Sequence, residues 1–84
     1  MIVVLDVSAA LEIVQKKDNS NRFKKALLEA DTVIAPELYI SEITNTAWKY
    51  SKIAKFTHEE CYRISEEGIN LIDQFIAAND LWKE

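Results

Sequence analysis

An apolar, β-branched run from Ile2 to Leu5 that halts at a carboxylate, Asp6, constrains this chain more than any other feature. A strand without polar alternation is the pattern expected when both faces are buried, as in a parallel sheet. Parallel neighbours require long crossovers, usually helical, so the run calls for helices next. The sequence supplies them. Ser8 can cap a first helix from about Ala9 to Lys16, and Lys17 to Asn21 is polar and turn-like. Phe23, Ala26, Leu27 and Ala30 then recur at helical spacing. Thr32 to Ala35 reads as a second short strand closed by Pro36, after which Ile40, Ile43, Ala47, Tyr50 and Ile53 restore a helical period.

The start of the next helix is the best defined. Thr57 with Glu60 has the capping-box spacing, and Phe56 with Cys61 has that of a hydrophobic staple, so the helix begins at His58. Cys61, Ile64, Gly68, Leu71 and Phe75 extend the pattern, which predicts a helix to about Gln74. Glycine inside it costs roughly 1 kcal/mol against alanine, so a break at Gly68 is the alternative. Phe75 to Ala78 can form a short third strand, and Asn79 or Asp80 can cap one more turn. The fold class predicted is α/β, in the order β1-α1-α2-β2-α3-α4 with a short β3, as one unit over residues 1–84.

Composition narrows the functional classes. A net charge of -4 argues against a broadly basic nucleic-acid surface, though not against a local basic patch. Cys61 is the single cysteine, which leaves no internal disulfide and fits a reducing cytoplasm. Met1 to Leu5 lacks the basic flank of a signal peptide, and no apolar run approaches the roughly 20 residues of a membrane span.

Asp6 stands where ligands collect in parallel sheets, at the carboxyl end of a strand, but it can equally just open the turn into the first helix. Glu42 lies in the first turns of the helix after the second strand, near the same sheet edge, with Asn45 one turn on. Alone it reads as a solvated helix acid. Two carboxylates brought together repel, and a shared proton or a hard cation resolves the conflict. Lys49, Lys52 and Lys55 follow one side of the third helix, either as a solvated face or to steer phosphates. Trp48 and Tyr50 suit a dimer surface or the core, and His58 and Cys61 read as incidental and core residues.

The stretches IVVLDVSAALEIV, VIAPELYISEITNTAWKY and IAKFTHEECYRI together resemble the opening of a PIN domain of the kind found in VapC toxins of bacterial and archaeal toxin–antitoxin pairs. The resemblance implies a three-layer parallel sheet with helices on both faces and the first strand at its centre. It also implies a magnesium- or manganese-dependent endoribonuclease in the cytoplasm, with an RNA substrate and an antitoxin protein as partner. Asp6 and Glu42 then become metal ligands and catalytic residues, Ser8 a supporting hydroxyl, and Asn45 a group that orients Glu42. Members of the family carry further acids in later elements, so this sequence is expected to hold the N-terminal portion of the domain. Asp73 and Asp80 match no family position and read as surface or capping residues. A chain of this kind is expected to cleave RNA poorly by itself and to form a homodimer or higher oligomer along the unpaired flank of its first strand. The alternative function is a non-catalytic PIN remnant that serves only dimerisation or antitoxin binding.

Overall fold

A computed structural model describes residues 1–16, 20–53 and 56–77. The elements are β1 (Ile2–Val4), α1 (Val7–Val14), α2 (Ser20–Glu29), β2 (Thr32–Pro36), α3 (Leu38–Ile53), α4 (His58–Asn70) and β3 (Gln74–Ile76). The three strands form one parallel sheet in the order β1-β2-β3. Among the described residues β2 is therefore central, and β1 is paired on one side only.

Register and alternation divide the sheet into two unlike faces. Val3 pairs with Val33 and Ala35 with Phe75, so these residues share one face with Leu5. Leu5, Val33 and Ala35 are buried there, in one cluster with Ala10, Leu11 and Ile13 of α1, Tyr39, Ile43 and Ala47 of α3, and Cys61 and Ile64 of α4. Phe23 and Leu27 of α2 pack against the same cluster, so the four helices of the described residues serve one face. On the other face Ile2 and Val4 are each 67% exposed. The expected double cover is thus met on one face only among the described residues, and β1 is not buried on both sides.

The helix pair α3–α4 is the most closely fitted part of the fold. The capping box at Thr57 is formed: its hydroxyl accepts from the Glu60 N–H, and the Glu60 carboxylate accepts from the Thr57 N–H. Phe56 packs against the core cluster, its ring edge-on to Tyr50 at a centroid distance of 5.5 Å. α4 runs through Gly68 without a break and ends at Asn70, short of the expected Gln74. The glycine is there for proximity. A methyl group at Gly68 would overlap Cδ1 of Ile43, which is fully buried on α3. The Tyr39 hydroxyl donates to the Gly68 carbonyl at 2.6 Å. That carbonyl lies in the last turn of α4, where carbonyls lack partners within the helix, so Tyr39 satisfies one of them from α3.

Other boundaries shift by a few residues. α1 begins at Val7 rather than Ala9, because Asp6 and not Ser8 is its cap. Ser20 and Asn21, expected in the turn, already belong to α2, while residues 17–19 lie outside the described residues. β3 occupies Gln74–Ile76, ahead of the expected Phe75 to Ala78. Asp73 fastens it: its carboxylate accepts from the Val33 N–H at 2.7 Å, and its own N–H donates to the Val33 carbonyl at 2.8 Å. The caps expected at Asn79 and Asp80 fall outside the described residues, as does Lys55. Among the described residues no helix is long and apolar enough to cross a membrane.

Candidate functional site

β1 delivers Asp6 to the carboxyl edge of the sheet, and the backbone turns there into α1. Its extended φ and ψ of -95° and 166° let one carboxylate oxygen, Oδ1, accept the Ala9 N–H at 2.8 Å. That is an N-cap bond. The other oxygen has no hydrogen-bond partner among the described residues. Asp6 therefore serves as the turn-opening residue while keeping one oxygen free for a ligand.

β2 delivers the second carboxylate by a similar route. Pro36 ends the strand, the Glu37 N–H donates to the Ile76 carbonyl at 3.0 Å, and α3 starts at Leu38. Glu42 follows one turn into that helix, exposed, its backbone carbonyl accepting the Thr46 hydroxyl at 2.8 Å. Asp6 and Glu42, far apart in sequence, line one cleft of about 180 Å³ together with Val7, Pro36 and Tyr39. Both acidic residues border this cleft.

Tyr39 forms the floor of this cleft, and the sequence reading overlooked it. It stands three residues before Glu42 on α3 and is only 2% exposed, with its ring tilted against Phe75 at a centroid distance of 6.0 Å. Burial first, and then the negative charge of Asp6, push its pKa well above the ordinary tyrosine range. Its hydroxyl thus stays protonated and remains committed to the Gly68 carbonyl. An aromatic one helical turn from a suspected ligand, on the apolar side of the helix, was the available signal.

The two supporting residues are not drawn in. Ser8 is exposed in the first turn of α1 and makes no hydrogen bond to Asp6 or Glu42 among the described residues. Asn45 lies along a different groove, with Trp48, Lys49 and Lys52. A larger concavity, about 400 Å³, lies elsewhere, between α1, α2 and the end of α4, and includes neither Asp6 nor Glu42.

A divalent cation is the group that such a cleft could hold. Magnesium accepts one or two carboxylates and fills its octahedron with water, so Asp6 and Glu42 fit it as partial ligands. No group of three or more His, Cys, Asp or Glu residues able to hold a metal occurs among the described residues. No protein-family model matches the chain, and no curated protein does.

Proposed function

We propose that the Asp6–Glu42 cleft is part of a magnesium- or manganese-dependent endoribonuclease site of the toxin type. The observation that carries this reading is that the ends of β1 and β2 bring two carboxylates into one cleft at the carboxyl edge of a parallel sheet. The PIN-like motifs are those same residues. A cation held there would polarise a phosphodiester and lower the pKa of a bound water. Asp6 and Glu42 would bind it, Asp6 through the oxygen that the helix cap leaves free. Tyr39 holds the base of α3 against α4, which fixes the direction in which Glu42 leaves the helix. With its hydroxyl protonated and engaged, Tyr39 is a positioning residue and not a base.

The test is cleavage of single-stranded RNA with and without magnesium. Cleavage is expected to be slow, because two carboxylates leave most of the coordination sphere to water and fix the phosphate loosely. It should be lost in Asp6→Asn and in Glu42→Gln. Cleavage that survives both substitutions would overturn the assignment. A complete lack of cleavage would favour the second reading, a non-catalytic module for dimerisation or antitoxin binding, for which the shortage of ligands among the described residues speaks.

Two partners follow from the same reading. An antitoxin segment with basic side chains suits a chain of net charge -4. A second copy suits β1, whose edge is unpaired among the described residues and whose Ile2–Val4 face is exposed, so that it offers backbone pairing and apolar burial.

A further inference from the structure

α3 carries more than the metal-binding acid. Glu42, Asn45, Lys49 and Lys52 recur at intervals of three, four and three, so they form one stripe along its outer side. The core residues Tyr39, Ile43 and Ala47 occupy a different side of the same helix. At a rise of about 1.5 Å per residue, Lys49 lies roughly 10 Å and Lys52 roughly 15 Å along the axis from Glu42. Asn45, Trp48, Lys49 and Lys52 line one groove of about 300 Å³ that has no carboxylate in its walls. Neither lysine forms an ion pair among the described residues. In a chain of net charge -4, this is a local reversal of sign.

Trp48 gives the groove its second character. The indole is 40% exposed, although it belongs to a helix with an ample buried face. His58, at the start of α4, makes a T-shaped contact with it at 5.1 Å and an interplanar angle of 71°, which steadies the ring. On its other side Trp48 borders a second cleft of about 370 Å³ with Tyr62, which is 63% exposed. Free ammonium groups beside a steadied, exposed aromatic are what a single-stranded nucleic acid requires: cations for the phosphates and a π-face for a base. An acidic polypeptide would engage the lysines without stacking bases on the indole, and polyglutamate competition tests for it below.

We infer that the Asn45–Trp48–Lys49–Lys52 groove is a binding subsite for single-stranded nucleic acid. It would hold the strand a few nucleotides from the phosphate placed at Asp6 and Glu42. The inference rests on the proposed function for its orientation, since Glu42 marks the reactive end of the stripe. Binding itself does not depend on the metal. Lys49 and Lys52 hold two phosphates, Trp48 stacks on a base, and Asn45 bridges towards the acids.

The experiment measures binding of fluorescein-labelled hexa-uridylate and hexa-thymidylate in EDTA, by anisotropy and by tryptophan quenching in a Trp82→Phe background that leaves Trp48 as the reporter. Saturable binding with quenching is expected. Lys49→Ala with Lys52→Ala should lower the slope of log K against log salt by about 1.4, the value for two single-strand phosphate contacts. Trp48→Ala should weaken binding roughly ten- to a hundredfold, and Trp48→Phe should restore most of the loss. Tighter binding of uridylate assigns the site to RNA, and equal binding assigns it to single strands in general. EDTA removes any divalent cation, so this binding reports the groove alone, and a failed metal site and a failed groove give different results. Absence of oligonucleotide binding, a salt slope unchanged by the lysine variant, or equal competition by polyglutamate without quenching would each overturn the inference. Circular dichroism of each variant confirms that the exposed substitutions leave the fold intact.

Discussion

The α3–α4 pair and the β1 edge lie in the same small molecule and differ in almost every physical respect. Between the helices, Gly68 admits Ile43, Tyr39 satisfies a terminal carbonyl, and Thr57 and Glu60 close the N-terminus of α4. At β1, Ile2 and Val4 are left largely in solvent and one backbone edge is unpaired among the described residues. The first region is closed by contacts local in sequence or made by one helical hairpin. The second can be closed only by something brought from far away or from another chain. Fit against openness is the contrast that the following substitutions probe.

The largest effect is expected in the closed region. Ile43→Ala removes the side chain at the centre of the helix pair and should cost about 2 to 5 kcal/mol. In a domain of this size, that loss should abolish the cooperative urea transition. Gly68→Ala sharpens the test, because overpacking costs about 1 to 3 kcal/mol while the gain in helix propensity returns about 1. In an Ile43→Val background the obstructing Cδ1 is gone. The same Gly68→Ala change should then be neutral or stabilising, and an equal loss in both backgrounds would show that the close approach is not what requires glycine.

Tyr39→Phe leaves the Gly68 carbonyl without its donor and should cost about 1 to 3 kcal/mol. It should also change the alkaline limb of stability. Because the folded-state pKa is raised, native and unfolded chains bind the same proton below about pH 10, and only the unfolded chain releases it just above. Stability should hold up to that pH and fall beyond it, and Tyr39→Phe should flatten this fall. Urea midpoints between pH 8 and 11 would show it.

Asp6 separates cap from ligand. Asp6→Ala removes both and should cost about 0.5 to 2 kcal/mol, whereas Asp6→Asn keeps an equally good cap and should leave the urea midpoint close to wild type. A matching loss in both variants would mean that the charge, and not the hydrogen bond, holds the start of α1.

The smallest effect on stability belongs to the open region. Ile2→Thr with Val4→Thr should change it by no more than about 0.5 kcal/mol. Association should respond far more. Light scattering at micromolar concentration is expected to show a dimer or larger species for the wild type and a monomer for the variant. A wild-type monomer whose β1 amides resist exchange would mean that the chain covers its own first strand.

How much of this was legible in the sequence follows the same division. The capping box at Thr57 and the second strand depend on neighbours a few residues away; the box stands where the spacing placed it, and the strand Thr32–Pro36 runs one residue past the expected Ala35. Ser8 was misread because two cap-forming residues stand close together. The carboxylate at Asp6 won the Ala9 N–H and started α1 earlier. The bare face of β1 could not be read, since an apolar run records what a strand is fit to bury and not what covers it. Of the candidate site, Asp6 and Glu42 were legible as strand-end and helix-entry acids. Tyr39 and the cross-sheet role of Asp73 were not, because their partners, Gly68 and Val33, lie on other elements.

The convergence of Asp6 and Glu42 on a cation is the central claim, and calorimetric titration with manganese tests it most directly. Wild-type protein should bind weakly, with a single site. Binding should fall in Asp6→Asn, whose cap and fold are retained, and in Glu42→Gln, and it should disappear in the double variant. Manganese affinity that is the same in all four proteins would contradict the claim.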